Sequence, residues 1–356
     1  MTSERSHRRR HLPRSPRRHR HHSRAHRVRR PNGPARRHLL RPPRNLHHDY
    51  DYDYGDPMTR CTIEDFTYRT ITGDGGVNLN VAIGGQGPAV VLLHGFPQTH
   101  YMWRHVARTL ATNHTVIVPD LRGYGASDQP PADNPESYSK RTMANDIVAV
   151  AREIGFDHFG LVGHDRGALV AVRAGLDHPD AVDYLGILDV LPTMDTWAVL
   201  QGVNAKVAWH LYLMAQPAGM PEKMIAAVAP EFFGSFLDAW DPTGTTFTPE
   251  ERDHYVTSSI NSIDSIVADY RATAGIDLDM DLADREGGAR LTMPVAVISQ
   301  DWGSQLGFDA SALWQAWAPD FTYQATTSGH FMAEENPDEI AGFITELAAR
   351  TPSEQP

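Results

Sequence analysis

Cysteine occurs once in this 356-residue chain, at Cys61, so no disulfide can form within it, and the composition points to a reducing, cytoplasmic setting. Long apolar runs are missing as well. No stretch approaches the roughly 18 apolar residues that a membrane-crossing helix needs. The nearest thing to an apolar run early in the chain, Leu39-Leu40, is far short of a secretory h-region. A glycine-rich phosphate loop is absent, and so is any His/Cys/Asp/Glu cluster with metal-ligand spacing. Neither a cofactor nor a metal is therefore expected.

What is present divides near Met58. Residues 1–57 hold sixteen arginines against five acidic residues, with many His and Pro and no apolar periodicity. Such a segment cannot bury enough apolar surface to fold, and it reads as a disordered basic tail. The net charge of −11 thus combines a tail near +11 with a body near −22. An Arg-rich, acid-poor tail suits phosphate neutralisation on nucleic acid or an anionic membrane, or a transit peptide. The alternative is that translation starts at Met58, where globular sequence begins at once. From the body itself, no nucleic-acid or membrane partner is expected.

With 41% hydrophobic and 22% charged residues, the chain is long enough for one large α/β domain with an insertion. Residues 66–71 and 77–83 read as an opening antiparallel pair, and 89–93 as a buried strand. Residues 101–110 have helical spacing, 116–118 are strand, and 143–154 form an amphipathic helix with apolar positions 143, 147, 150, 151 and 154. Strands at 159–162, 184–188, 295–298 and 321–323 follow, with helices near 310–316 and 339–349. Repeated strand-helix alternation predicts a mostly parallel sheet with helices on both faces. Residues 191–290 break that rhythm and are rich in Met, Trp and Tyr. They are expected to form a helical cap over the strands' carboxyl ends, inserted into a core made of 58–190 and 291–356.

The stretch with most chemical content is Gly163-His164-Asp165-Arg166-Gly167. It lies between the apolar runs Phe159–Val162 and Ala168–Val172, so it reads as strand, sharp turn, helix. That is the context of a nucleophile elbow, with aspartate in place of serine. A serine there needs a base to become nucleophilic, whereas a carboxylate, with an ordinary pKa of about 3.9, is anionic at neutral pH without help. The matching electrophile is an sp3 carbon bearing a leaving group or a strained ring, because attack on an ester would give an unstable anhydride.

From about Phe66 to Leu347 the chain resembles the Asp-nucleophile α/β hydrolases, and within them the haloacetate (fluoroacetate) dehalogenases and the related epoxide hydrolases. The segments that carry the resemblance are Leu92–Thr99 (LLHGFPQT), Pro119–Asp128 (PDLRGYGASD), the elbow, Leu188–Thr193 (LDVLPT), Met214–Pro217 (MAQP), Asp269-Tyr270-Arg271 and Ser328–Phe331 (SGHF). The resemblance implies the α/β-hydrolase fold and a hydrolase acting on a small molecule. The implied reaction is cleavage of a carbon-halogen bond in a haloacid or haloalkane, or else opening of an epoxide to a diol. A catalytically silent ligand-binding protein on this fold is the remote alternative, since it would not need nucleophile, acid and base together. A homodimer is the expected oligomer, as dimers are common among soluble enzymes.

In that reading Asp165 is the nucleophile, and the Phe96 and Arg166 amides converge as an oxyanion hole. Loss of one such donor typically raises the barrier by about 2.7–4 kcal/mol. The resemblance places the base that activates water at His330. Two aspartates compete to orient it: Asp189, 24 residues after the nucleophile at a strand end with apolar neighbours, and Asp301 after the next strand. Asp189 is the stronger candidate. His94 reads as a turn histidine bonded to backbone. In the cap, the resemblance aligns His210 and Tyr270 with residues that hold a departing halide or protonate an epoxide, His210 acting in protonated form. Leu211 stands where the dehalogenases have Trp, and Leu169 where they have a second arginine for the substrate carboxylate. Arg166 is left to hold such a carboxylate alone, or to pair with a carboxylate of the protein. Trp209, Tyr212 and Met214 read as helix packing.

Overall fold

Strands β1 (Thr67–Thr72) and β2 (Asn78–Gly85) pair antiparallel at the start of a computed structural model that describes residues 61–351, Pro242 excepted. The expectations for the basic tail and for a start at Met58 fall outside the described residues. Next comes β3 (Ala89–Leu93), whose five residues are all buried. An unbroken apolar run of that kind belongs to a strand covered on both faces. Helix α1 (Arg104–Leu110), strand β4 (Thr115–Pro119), helix α2 (Lys140–Ile154), strand β5 (Phe159–His164), helix α3 (Arg166–Asp177) and strand β6 (Val182–Leu188) then alternate.

Helix α2 illustrates how local sequence sets an element. The Ser139 hydroxyl accepts from the Thr142 N–H at its start, and Gly155 closes it at φ 111°, a conformation glycine adopts without penalty. Its apolar positions Met143, Ile147, Val150 and Ala151 are buried, as their spacing predicts. The helix expected over 101–110 divides into a 3-10 turn, His100–Trp103, and α1, because the Thr99 hydroxyl caps the Tyr101 N–H and tightens the entry.

Between β6 and β7 (Val295–Ser299) the described residues form helices only: α4 (Thr193–Val199), α5 (Trp209–Met214), α6 (Met220–Ala226), α7 (Ala229–Trp240), α8 (Pro249–Ile260), α9 (Ile263–Thr273) and α10 (Ile276–Gly287), with a 3-10 turn before α5. Phe232, Phe233, Phe236 and Leu237 give α7 one buried face, and a Thr248/Glu251 capping box starts α8. After β7 come α11 (Trp302–Leu306), α12 (Ala310–Gln315), strand β8 (Phe321–Ala325), α13 (Met332–Glu335) and α14 (Pro337–Ala348). Helix α11, five residues long, is too short to show periodicity in sequence.

The eight strands form one sheet in the order β1-β2-β4-β3-β5-β6-β7-β8, parallel from β4 through β8. Strand order reverses around β3, which lies between β4 and β5. Loops leaving the carboxyl ends of β3 and β5 in opposite directions open a crevice there, the usual ligand position in such sheets.

Candidate active site

Strand β5 ends at His164 and α3 begins at Arg166, which leaves Asp165 alone in the turn at φ 47° and ψ −115°. For a non-glycine residue this backbone is strained by about 1–3 kcal/mol and persists only where its surroundings fix it. They do so by close approach. A Cβ on Gly163 would lie 2.6 Å from the Ala168 Cα, and one on Gly95 would lie 2.7 Å from the Asp165 Oδ1. The Phe96 N–H, on the loop after β3, donates to Asp165 Oδ1 at 2.8 Å. Asp165 Oδ2 has no donor among the described residues, so one carboxylate oxygen is anchored and the other is not.

His330 lies on the loop after β8, and its Nδ1 is 2.7 Å from Asp189 Oδ2. Asp189 ends β6 at φ 57° and is held further by the Gln300 N–H (3.0 Å), Gln300 Nε2 (2.7 Å), Trp302 Nε1 (3.0 Å) and the Ser299 hydroxyl (3.2 Å). Burial alone would raise this carboxyl, but the His330 contact and those donors outweigh it and hold the group below its usual range. Burial would likewise lower His330. The hydrogen bond and charge of Asp189, with the charge of Asp165, reverse that and raise the imidazole above its ordinary 6.5. His330 Nε2 is buried with no partner among the described residues, so this nitrogen is available to a water molecule. The competing Asp301 is exposed and caps α11, its Oδ1 accepting from the Ser304 N–H at 3.2 Å.

Asp165, Arg166, Asp189, His210, Tyr270 and His330 all line one cavity of about 150 Å³. Leu169 and Leu211 form part of its apolar wall. Phe96 reaches the site through its amide, while its ring packs against Phe236 and Tyr270 at 5.2 and 5.5 Å. Burial, with the neighbouring Asp165, keeps the Tyr270 phenol well above the ordinary tyrosine range, so it stays a proton donor. The expectation of a protonated His210 does not hold. Burial among Phe96, Phe236 and Trp240 pushes this imidazole down to about 3, and a neutral ring offers one N–H.

Of the two roles expected for the Arg166 side chain, the structure shows the second, pairing with a carboxylate of the protein. Its Nε and Nη2 meet Asp269 Oδ2 and Oδ1 at 2.8 Å each, and Nη2 also contacts the Thr273 hydroxyl. The fork that would grip a substrate carboxylate is occupied by a carboxylate of the protein. His94 has the structural role expected of it: its Nε2 accepts from the Leu121 N–H at 3.0 Å and its ring is fully buried.

The sequence family described as alpha/beta hydrolase fold matches residues 88–337. The chain belongs to the α/β-hydrolase fold family. Among curated proteins it is 42% identical over 220 residues to a fluoroacetate dehalogenase of Burkholderia sp, spanning 61% of this chain and 72% of that one. It is 43% identical over 117 residues to a soluble epoxide hydrolase of Corynebacterium sp. (strain C12), spanning 33% of this chain and 40% of that one. Among solved structures, a protein of Nostoc sp PCC 7120 assigned to the α/β hydrolases superposes with TM-score 0.76 at 34% identity, over 81% of this chain and 100% of that one.

Several residues of this α/β hydrolase's site escaped sequence reasoning. Asp269 is wholly buried, and besides Arg166 it binds Lys140 and the Tyr124 hydroxyl (2.7 Å). The signal was present: Lys140 lies three residues before Met143 on the apolar stripe of α2, and a charge on such a stripe requires a partner. Trp240 packs edge-on to His330 at 4.7 Å. Gln98 and Arg104, beyond the Phe96 loop, both bind the buried Glu334, four residues after His330. The Phe96 loop and the His330 loop are thereby tied together.

Proposed function

We propose that this hydrolase breaks a bond at an sp3 carbon in two steps, through an ester of Asp165. In the first, Asp165 Oδ2 bonds to the carbon as the leaving group departs with the bonding electron pair. In the second, water attacks the Asp165 carboxyl carbon and passes a proton to His330 Nε2, while Asp189 holds the imidazole by Nδ1. The Phe96 and Arg166 amides steady the oxyanion, and collapse returns the carboxylate and an alcohol. The observation that carries this reading is an aspartate, with one oxygen anchored by the Phe96 N–H, at the position of the elbow nucleophile.

A halide is the first-choice leaving group, supported by 42% identity to the Burkholderia fluoroacetate dehalogenase. Tyr270 and the neutral His210 N–H would receive it. The second reading, epoxide opening, is favoured by the Tyr270 phenol, which can protonate the ring oxygen. In both, residues 191–290 act as the cap that shields the ester from bulk water. A cytoplasmic homodimer completes the proposal. Halide release and diol formation, measured separately on haloacids, haloalkanes and epoxides, distinguish the two readings, and absence of both products would refute the proposal.

A further inference from the structure

Resting on that two-step reading, we infer that the site selects uncharged substrates and rejects the corresponding carboxylates. Among the described residues Arg166 is the one Lys or Arg in the cavity wall, and it is 3% exposed. Both of its contacts with the Asp269 carboxylate are at 2.8 Å, Nη2 also donates to the Asp269 carbonyl at 3.0 Å, and its guanidinium carbon sits 4.1 Å over the Tyr270 ring. Only Nη1 lacks an acceptor among the described residues. Lys140 and His330, close by, are also engaged with carboxylates of the protein. Lys140 binds Asp269 and lies 3.8 Å from Asp277, while His330 faces Asp189 at 2.7 Å.

The wall itself already holds two acidic side chains, Asp165 and Asp189. A substrate carboxylate would be a third in a small cavity, with no cation left to receive it bidentately. Burying a charge under those conditions is strongly unfavourable. An uncharged molecule meets the opposite conditions. Leu169, Leu191, Leu200 and Leu211 give it apolar surface, and Arg166 Nη1 can donate to a carbonyl or hydroxyl without requiring charge. Behind Leu169 a separate void of about 10 Å³ is lined by Lys140, Arg173, Asp277 and Asp281. Leu169 therefore partitions this ionic interior from the substrate. The size is consistent too, since an apolar cavity of about 150 Å³ holds a molecule such as benzene.

Two matched pairs test the inference across both leaving groups: chloroacetamide against chloroacetate, and glycidamide against glycidate. Chloroacetamide would give glycolamide, chloride and a proton, and glycidamide the dihydroxy amide with no other product. The wild-type kcat/KM for each is divided by its rate with free acetate, which removes intrinsic reactivity. His330→Gln is incubated with each compound, and the adduct is located by peptide mapping. Preference for the amide in at least one pair, by about a hundredfold, is the expected result, the scale on which an unpaired buried charge is refused. Asp269→Asn, which frees the Arg166 fork, should move that ratio toward the acid by about tenfold or more in protein verified as folded. Equal or better use of the acids by the wild type, with adduct on Asp165, overturns the inference and leaves the nucleophile standing. An unchanged ratio in folded Asp269→Asn overturns the role given to Arg166. No adduct on Asp165 from any of the four compounds overturns both the inference and the two-step reading.

Discussion

Asp189 and Asp269 are both buried carboxylates held below their usual range, yet Asp189, at the His330 end of the site, lines the cavity, whereas Asp269, at the Arg166 end, lies behind its wall, and their partners differ in kind. Asp189 faces His330, an imidazole whose pKa it raises by hydrogen bond and charge. Asp269 faces Lys140 and Arg166, and its charge beside Arg166 outweighs burial and keeps that guanidinium above its ordinary range. A carboxylate paired with a titrating imidazole can tune a base, whereas one paired with a guanidinium fixes position and cancels charge. The first arrangement suits chemistry, and the second shapes which molecules are admitted.

The contrast makes graded demands. The largest loss should come from the nucleophile that both ends serve: Asp165→Asn is expected to lower kcat by about 10⁴-fold or more in steady-state assays. His330→Gln should lower it by about 10² to 10⁴ and leave an enzyme ester that intact-mass measurement detects, because only the second step needs the base. At the other end, Asp269→Asn strands buried cations. Its expected cost is about 3–5 kcal/mol of stability in denaturant unfolding, much more than any direct effect on proton transfer.

Asp189→Asn should act on pH dependence instead. Because Asp189 raises the His330 imidazole, the acid limb of wild-type kcat, read where ester hydrolysis limits turnover, should report that raised value. Removing the carboxylate lowers the imidazole pKa, so the limb should move to lower pH while the rate falls. Asp301→Asn should do least, within about 0.5 kcal/mol of wild-type stability and with an unmoved pH profile, since its carboxylate only caps α11 near solvent. A large pH shift in Asp301→Asn and none in Asp189→Asn would reverse the assignment of His330's partner.

Much of this arrangement was legible from local pattern. The G-x-D-x-G stretch between apolar runs announced the strand, turn and helix around Asp165, and unbroken apolar runs marked β3, β5 and β7. What local pattern could not supply was pairing across the fold. Asp189 and Asp301 are both strand-end acids in sequence. Only the adjacency of β6 and β7 aims the Ser299 hydroxyl and the Gln300 amides at Asp189, while Asp301 turns away to cap a short helix. Lys140 and Asp269 are 129 residues apart, so their union could not be read from spacing. The burial that lowers the His210 imidazole comes from rings on two other segments, Phe96 and the α7 residues Phe236 and Trp240, so its local sequence did not announce it.

One turnover in water enriched in heavy oxygen, with enzyme in excess over a substrate the protein consumes, tests whether Asp165 itself forms the bond. Hydrolysis of an Asp165 ester by attack on its carboxyl carbon must leave label in that side chain and none in the product alcohol, readable by mass spectrometry of the Asp165 peptide. Label found only in the product, with the Asp165 carboxylate unlabelled, would mean that water attacks the substrate directly and that no ester forms.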